Sequence, residues 1–384
     1  MTPGARVAAA IAILDRVAAG EPAEKALTGW ARRARYAGSK DRAAVRDHVF
    51  DVIRRWRSTA SDGGANTGRG RMIGLLRQQG IDLGTVFTGD GHAPAPLSVD
   101  ENAQPEPSDA AARDVPDWLW PLIETDLGPA AAEYCAVLRD RAPVFLRVNL
   151  ARTTRDAAAT TLRDGGIETV PGTRSPTALR VTDGARKIAQ SAGFQSGMVE
   201  LQDASSQAIV DALGLSAGST VLDFCAGGGG KALAMAARTG APVAAWDAAR
   251  QRMRDIPARA RRAGAVIRVL DQPEGRYDLV LCDVPCSGSG TWRRAPEGKW
   301  TLTQDMLTAL GRTQSDILAR AAQHVGQNGV LAYATCSVLS QENNAPIDRF
   351  LSETPGWDRG EMRFFLPDEH GDGLFLQLLH RTHP

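Results

Sequence analysis

Residues 221–231 read Val221-Leu222-Asp223-Phe224-Cys225-Ala226-Gly227-Gly228-Gly229-Gly230-Lys231. The first five are typical of a buried strand, and the spacing of apolar residues from Ala232 to Arg238 predicts a helix. Four glycines between a strand and a helix let the backbone turn tightly and approach a ligand without a side-chain clash. Such a loop suits a phosphate or the methionine end of S-adenosylmethionine, with a flexible tight turn as the structural alternative. A phosphate-binding P-loop requires Ser or Thr after the lysine, where this chain has Ala232.

Strands and helices alternate from this loop to the end of the chain. We expect further strands at 243–247, 266–270, 277–283, 330–335 and 373–379, and helices at 249–262 (broken or kinked at Pro257), 303–325 and 342–352. The alternation predicts a doubly wound, Rossmann-like α/β domain with a mostly parallel sheet of strand order 3-2-1-4-5.

Two aspartates end strands of this sheet, at the edge where doubly wound domains bind ligands. Asp247 ends the second strand and is placed to accept both hydroxyls of a ribose. Asp271 ends the third strand and is placed near an adenine. Aspartate is also common in turns and helix caps, and this alternative has more weight for Asp271 than for Asp247.

Two cysteines follow neighbouring strands. Cys286 comes three residues after the fourth strand and Cys336 one residue after the fifth. Because adjacent strands lie about 4.8 Å apart, both thiols should open into one crevice beside the glycine-rich loop. A zinc site is not expected, because no His or further Cys stands at ligand spacing. Polar neighbours such as Asp283 argue against a pair of core cysteines, for which Cys282 and Cys135 are better candidates.

Charge is unevenly distributed in a chain whose net charge is only +1. Nine Lys/Arg stand against three Asp in residues 32–57, and six Arg against one Asp in residues 250–262. These segments are either solvated helix faces or contacts for a polyanion. The loop after Cys286 combines basic and aromatic residues, which suits contact with phosphates and bases, and the predicted RNA-binding residues are Arg293, Arg294, Lys299 and Trp300.

The chain of 384 residues is long enough for several domains. We expect a helical domain at 1–87, a Pro-, Gly- and acid-rich linker at 88–114, a small α+β module at 115–200 and the α/β domain at 201–384. The sequence has five cysteines: Cys135, Cys225, Cys282, Cys286 and Cys336. They are too few and too unevenly spaced for a disulfide framework, and this pattern is typical of a protein in the reducing cytoplasm. No apolar run reaches the roughly 20 residues of a membrane span. No heptad or apolar stripe argues for a dimer, so a monomer is favoured.

Taken together, these motifs closely resemble the Sun/RsmB family of RNA (cytosine-5) methyltransferases over about residues 115–384. The resemblance is carried by Leu201-Gln202-Asp203-Ala204-Ser205-Ser206-Gln207, the glycine-rich loop, Asp247, Asp283-Val284-Pro285-Cys286-Ser287-Gly288-Ser289-Gly290, Arg293-Arg294, Pro296-Glu297, Trp300, Thr335-Cys336-Ser337, Glu342-Asn343 and Gly371-Asp372-Gly373. The helical amino terminus resembles the family's NusB-like RNA-binding domain through Gly38-Ser39-Lys40-Asp41-Arg42-Ala43 and Arg54-Arg55-Trp56-Arg57.

The resemblance implies S-adenosyl-L-methionine as methyl donor and a structured RNA, small-subunit ribosomal RNA, as acceptor. Cofactor-binding residues would then be Cys225, Ala226, Gly227, Gly228, Gly229, Gly230, Lys231, Asp247, Asp271 and Asp283. It also implies that Cys336 is the nucleophile at carbon 6 of cytosine, that Asp283 hydrogen-bonds the base, and that Cys286 assists release of the product.

One departure from the family pattern concerns the loop, which usually reads Cys-Ala-Ala-Pro-Gly-Gly-Lys-Thr. Gly227, Gly228 and Ala232 replace Ala, Pro and Thr, and we expect weaker cofactor binding because glycine costs ordering entropy. The altered loop also leaves an alternative open, a catalytically silent RNA-binding or ribosome-assembly factor. A small-molecule or protein methyltransferase is a weaker alternative, because neither needs a thiol pair.

Overall fold

A computed structural model describes residues 1–103 and 108–382. The chain folds as two compact units. The helical unit comprises Met1–Arg141 together with the later segment Trp292–Thr301. The α/β unit comprises Ala142–Thr291 and the chain from Leu302 onward. The segment Trp292–Thr301 belongs to the helical unit although it lies within the α/β domain expected at 201–384. Residues 115–141, expected in the small α+β module, also belong to the helical unit.

The first part of the helical unit contains nine helices within the described residues. They are α1 (Pro3–Ala18), α2 (Ala23–Arg33), α3 (Ser39–Arg54), α4 (Trp56–Asp62), α5 (Gly68–Gln78), α6 (Val99–Asn102), α7 (Asp109–Ala112), α8 (Trp120–Leu127) and α9 (Ala131–Val137). Apolar faces of α1, α3 and α5 form the core through residues such as Leu14, Ile53 and Met72, none more than 1% exposed. Helices α6 and α7 lie in the expected linker, of which residues 104–107 fall outside the described part.

The remaining helices follow in chain order. They are α10 (Arg155–Asp164), α11 (Ala192–Gln195), α12 (Ala204–Asp211), α13 (Gly230–Thr239), α14 (Ile256–Ala263), α15 (Glu297–Thr301), α16 (Gln304–Ala322) and α17 (Ser340–Glu353), with α15 in the helical unit. Short 3-10 turns lie at Leu83–Thr85, Gly128–Ala130, Ala185–Gln190, Arg250–Met253 and Ser289–Thr291. Among the described residues, no helix has the length and apolar character needed to cross a membrane.

A small antiparallel sheet opens the α/β unit. Its strands are β1 (Val144–Val148), β2 (Glu168–Pro171), β3 (Ala178–Asp183) and β4 (Val199–Leu201), in the order β2-β3-β1-β4. All three pairings are antiparallel. Helices α10 and α11 pack on this sheet, where Leu146, Leu162 and Leu179 are fully buried. The strands, with α10, form the small α+β module expected in this region.

The main sheet contains seven strands in the described residues. They are β5 (Val221–Asp223), β6 (Val243–Ala245), β7 (Ile267–Val269), β8 (Tyr277–Asp283), β9 (Val325–Thr335), β10 (Trp357–Phe365) and β11 (Leu374–Arg381), in the order β10-β11-β9-β8-β5-β6-β7. The five neighbouring strands β7, β6, β5, β8 and β9 pair in parallel. This confirms the predicted order 3-2-1-4-5. Strands β11 and β10 add an antiparallel edge, and β10 was not predicted.

Alternate residues of the central strands enter cores on opposite faces of this sheet. Leu222, Val280 and Tyr333 face α16 and α17, whereas Leu281 and Ala334 belong to the core with α12 and α13. Burial on both faces explains the continuous apolar runs of β8 and β9. Cys282, 0% exposed within β8, and Cys135, 3% exposed in α9, are core residues as predicted.

Proline 257 does not kink a helix. A 3-10 turn at Arg250–Met253 precedes α14, and Pro257 occupies the first turn of α14. A proline is tolerated there because the first-turn N–H groups have no partner within the helix. The single broken helix expected at 249–262 is therefore corrected to a turn followed by a shorter helix.

Candidate active site

The glycine-rich loop joins β5 to α13 at the carboxyl edge of the main sheet. Gly227 and Gly229 have φ angles of +50° and +80°, in the left-handed region that favours glycine. The Gly227 N–H donates to Asp247 Oδ2 over 2.9 Å, and Asp247 Oδ1 accepts from Ala249 N over 2.8 Å. Asp247, buried just after β6, thus holds the loop at Gly227, and its carboxylate lies beside the loop.

Asp223 is a buried carboxylate with few hydrogen-bond donors. It ends β5 and is 1% exposed; neither of its carboxylate oxygens makes a hydrogen bond of normal geometry, and the backbone N–H of Ala232 makes only a minor contribution to its pKa. Burial, reinforced by the nearby charge of Asp283, raises the pKa of Asp223 to about 7. Orphaned buried acceptors are costly in a folded protein, so this site suits a ligand that brings a cationic donor. Asp223 stands at the head of the glycine-rich motif in the sequence, but it was not among the predicted cofactor-binding residues.

The other predicted loop residues have different environments. Burial, reinforced by Asp223 and Asp283, raises the pKa of the Cys225 thiol above its ordinary range, so Cys225 stays a neutral thiol. Asp271 is exposed and forms an ion pair with Arg250, while its backbone carbonyl accepts from Trp246 Nε1 over 3.2 Å. The Asp271 carboxylate is therefore held by a surface contact near the end of β7.

Cys286 and Cys336 converge. Asp283 pairs with Ala334 in the register of β8 and β9, so the two strands end together and their following loops emerge side by side. The Cys286 and Cys336 Sγ atoms are 3.2 Å apart, and both cysteines are free thiols. Thr291 Oγ1 lies 3.9 Å from Cys336 Sγ on the other side. The structure thus brings both predicted cysteines into the one crevice expected from the strand order.

The two thiols differ in their tendency to ionise. Hydrogen bonding from Cys286 lowers the pKa of Cys336 below its ordinary value, with help from Lys231, although burial and Asp283 oppose the shift. The contact with Cys336, together with burial, raises the pKa of Cys286 well above its ordinary value. Cys336 is therefore the thiol of the pair that ionises more readily, and Cys286 is the one that keeps its proton more strongly. A thiol that ionises readily next to a second thiol can act as a nucleophile beside a proton donor.

Lys231 and Asp283 form an ion pair next to these thiols, with a distance of 2.7 Å between Nζ and Oδ2. Burial alone would lower the pKa of Lys231, but Asp283 outweighs it and the net shift is upward. Lys231 therefore keeps its positive charge at neutral pH, and it lies close enough to Cys336 to influence that thiol.

The predicted RNA-contact residues after Cys286 are largely buried in the helical unit. Arg293 is 3% and Lys299 1% exposed, so neither offers a surface to RNA, which corrects the prediction for these two residues. Lys299 Nζ donates to the Arg54 carbonyl over 3.0 Å, and Trp300 Nε1 donates to the Ile53 carbonyl over 2.7 Å. Arg294 is exposed. Long apolar stems let Lys and Arg pack inside a protein, and a local sequence pattern does not distinguish this packing from a basic surface.

Comparison with known families assigns most of the α/β unit. A family model described as 16S rRNA methyltransferase RsmB/F matches residues 210–380. A second model, an RsmF/B-like ferredoxin-like domain, matches residues 115–186, a range that contains β1, β2 and β3 of the small sheet.

Curated relatives agree with this assignment. The ribosomal RNA small subunit methyltransferase B of Citrobacter koseri is 35% identical over 251 residues, covering 62% of this chain and 58% of its own length. The protein of the same name from Vibrio cholerae is 31% identical over 299 residues, covering 73% of this chain and 69% of its own length. The chain therefore spans about six- to seven-tenths of these relatives.

Among solved structures, that of PH0851 superposes with a TM-score of 0.76 at 20% sequence identity, covering 99% of both chains. At this identity the likeness concerns the fold, including that of the helical unit.

Proposed function

Because the chain belongs to the RsmB/F family of 16S rRNA methyltransferases, we propose that it methylates carbon 5 of a cytosine in small-subunit ribosomal RNA. S-adenosyl-L-methionine is the proposed methyl donor. The observation that supports this most strongly is the contact of 3.2 Å between the Cys286 and Cys336 sulfurs, with opposite shifts in their pKa values. Carbon 5 of cytosine is a poor nucleophile, and a thiolate that adds to carbon 6 activates it.

The residues at the glycine-rich loop fit the cofactor. When bound, S-adenosyl-L-methionine would supply a methyl group activated on a sulfonium. Asp223 would hold its ammonium group, because the carboxylate oxygens of Asp223 make no hydrogen bond of normal geometry within the protein. The loop Cys225–Lys231 offers backbone N–H groups at the start of α13 to the carboxylate of the methionine part. Asp247 is proposed to accept the ribose hydroxyls, since a carboxylate has more acceptor sites than its contacts with Gly227, Ala249 and Arg252 use. Asp271 is proposed at the adenine end.

The side chains of the crevice then carry the reaction. Cys336, as thiolate, forms a bond from Sγ to carbon 6, and the electron pair of the carbon 5–carbon 6 double bond makes carbon 5 nucleophilic. Asp283 accepts a hydrogen bond from the exocyclic amine, and also from ring nitrogen 3 once that nitrogen has taken a proton from solvent. This proton neutralises the charge that addition of the thiolate places on the ring, and it returns to solvent when the product forms. After carbon 5 is methylated, its hydrogen leaves as a proton to solvent, the electron pair of that bond re-forms the carbon 5–carbon 6 double bond, and the electron pair of the sulfur–carbon bond stays on Cys336 Sγ. Cys286, 3.2 Å away, gives its proton to the departing sulfur and recovers a proton from it once the product has left.

The helical unit is proposed to be a NusB-like RNA-binding domain. Five exposed basic residues and one exposed tyrosine cluster where α2 ends and α3 begins, a surface that we call the α2–α3 corner: Arg32, Arg33, Arg35, Tyr36, Lys40 and Arg42. Tyr36 is 73% exposed, and Asp41, the acidic residue in this stretch, is engaged by the amino terminus and Arg6. Cations that contact phosphates and an aromatic ring that stacks on a base are the elements of RNA binding. The corner replaces Arg293 and Lys299 as the proposed RNA contact.

Ribosomal RNA as acceptor places the proposed reaction in the cytoplasm, and one copy of the chain holds every proposed catalytic residue. The alternative of a catalytically silent RNA-binding factor is disfavoured by the thiol pair, because such a factor has no need of a low-pKa cysteine in contact with a second thiol.

The test is transfer of labelled methyl from S-adenosyl-L-methionine to protein-free small-subunit ribosomal RNA, followed by nucleoside analysis. We expect the label in 5-methylcytosine. Measurable RNA binding without label, on both protein-free RNA and assembling subunits, would instead support the silent RNA-binding factor.

A further inference from the structure

Glu342 is a fully buried carboxylate behind the two cysteine loops. It lies in the first turn of α17 and is 0% exposed. Its Oε1 accepts from Ser287 N over 2.7 Å and from Gln314 Nε2 over 3.1 Å. Its Oε2 accepts from the Ser287 hydroxyl and, over 2.5 Å, from the Ser337 hydroxyl. One carboxylate thus receives four hydrogen bonds from three elements.

The serines that Glu342 holds are the immediate neighbours of the thiols. Ser287 follows Cys286 and Ser337 follows Cys336 in the sequence. The Ser337 hydroxyl also contacts the Ser289 hydroxyl over 2.9 Å, which adds a direct link between the two loops. Glu342 is therefore joined, through one residue on each side, to both sulfur-bearing residues.

Neighbouring contacts hold Glu342 itself in place. Tyr333 in β9 donates its hydroxyl to the Glu342 carbonyl over 2.6 Å. Asn343 donates to the Ser337 carbonyl over 3.1 Å and accepts from Thr335 Oγ1 over 2.6 Å. Gln314 in α16 also donates to the Pro285 carbonyl over 3.0 Å, just before Cys286. The start of α17 is thus fixed against β9 and both loops.

A buried carboxylate is a costly way to stabilise a fold. Removing an ionised group from water is unfavourable unless several donors replace the lost hydration, and an apolar residue of similar size often serves stability as well. What a carboxylate supplies here is geometry, because its two oxygens accept from two different loops at once. The sulfurs are in contact only if those loops keep their relative position.

We infer that Glu342 is a positioning residue that holds the Cys286 and Cys336 sulfurs in contact by bridging Ser287 and Ser337. Its role in turnover rests on the proposed function, whereas its role in setting the distance between the sulfurs does not. The two roles are therefore tested separately.

The distance is tested by oxidation with diamide, which accepts the two thiol hydrogens across its N=N bond while the sulfurs form a disulfide. The sulfurs must close from 3.2 Å to about 2.05 Å, a small movement in the native protein. Peptide mapping measures the rate at which the Cys286–Cys336 disulfide appears. We expect Glu342→Ala to slow it about tenfold, because the loops lose their shared acceptor, and the isosteric Glu342→Gln to slow it less. The matched control, Glu353→Gln, makes the same change at the exposed end of α17 and should cross-link as the wild type does.

Turnover is tested with the same variants. We expect kcat for methyl transfer to fall by about 100-fold in Glu342→Ala with KM for S-adenosyl-L-methionine unchanged, since only the thiol geometry is disturbed. Glu342→Gln should recover part of this loss. Thermal melting identifies any variant that fails to fold. If Glu342→Ala is unfolded, Ser287→Ala and Ser337→Ala, each of which removes one of the hydroxyl contacts, take its place.

Cross-linking at the wild-type rate in a folded Glu342→Ala or Ser287→Ala/Ser337→Ala protein would overturn the inference. If the wild type methylates no RNA but Glu342→Ala still cross-links more slowly than the wild type, the positioning role is supported and the proposed function is rejected. The two failures are therefore distinguishable.

Discussion

Lys231 Nζ lies 2.7 Å from Asp283 Oδ2, so that a cation from the start of α13 meets the carboxylate at the end of β8. The pKa of Cys336 is lowered mainly by the hydrogen bond from Cys286, and the Lys231 cation contributes to the same shift. The ion pair thus links the glycine-rich loop, where the cofactor is proposed to bind, to the thiolate that is proposed to attack the base.

Replacing Lys231 with methionine is expected to raise the pKa of Cys336. A positive charge favours the thiolate over the thiol, so its removal shifts ionisation to higher pH. The acid limb of the pH profile of kcat/KM should move to higher pH, and activity near neutrality should fall by more than activity in alkali. Lys187→Met removes an exposed lysine elsewhere in the α/β unit and serves as the control. An unmoved acid limb in Lys231→Met would show that Lys231 does not support the thiolate.

Cofactor affinity is expected to depend on the ionisation of Asp223. The pKa of this carboxyl is about 7 without ligand, and an ammonium group beside it favours the ionised form. Binding therefore releases a proton at acidic pH, and S-adenosylhomocysteine should bind more tightly as pH rises from about 6 to about 8. Asp223→Asn should lose this dependence and bind roughly 10- to 100-fold more weakly at the higher pH, as expected for a lost hydrogen bond to a charged group.

Isothermal titration at several pH values checks this dependence. Asp183→Asn, which changes an exposed carboxylate at the end of β3, is the control and should keep the wild-type profile. Equal pH dependence in the wild type and Asp223→Asn would contradict the proposed contact with the ammonium group.

RNA affinity is expected to depend on the α2–α3 corner. Arg35→Glu should weaken binding of small-subunit ribosomal RNA and reduce the slope of log affinity against log salt by roughly one phosphate contact. Tyr36→Ala should weaken binding by about 1–3 kcal/mol if its ring stacks on a base. Filter binding over a salt series measures both. Arg312→Glu, the same change on an exposed position of α16, controls for net charge. If it weakens binding as much as Arg35→Glu does, the corner is not a specific contact.

The sequence predicted the core of the α/β unit because its central strands are buried on both faces and because parallel strands end at a common edge. The convergence of Cys286 and Cys336 follows from that topology. The edge strand β10 was missed, since seven of its nine residues Trp357–Phe365 are polar, glycine or exposed apolar side chains.

The burial of Lys299 and Arg293 depends on contacts with residues far away in the sequence, such as Arg54. A local sequence pattern does not predict such contacts. The same holds for Asp223 and Glu342. The motifs contained both, but only the lack of a hydrogen bond of normal geometry at Asp223 and the four hydrogen bonds at Glu342 indicate what each carboxylate does. The sequence thus predicted which loops meet, and tertiary structure was needed to show how they are held.

In the proposed mechanism, Cys336 is the nucleophile and Cys286 assists its release. The most direct test is to measure the amount of denaturant-resistant protein–RNA adduct formed with labelled RNA and S-adenosyl-L-methionine. Cys286→Ala should accumulate adduct because release of Cys336 is impaired, and the double variant Cys286→Ala/Cys336→Ala should form none. Both should bind RNA as the wild type does. Adduct in the double variant would rule out Cys336 as the nucleophile, and absence of adduct in Cys286→Ala would contradict the release role of Cys286.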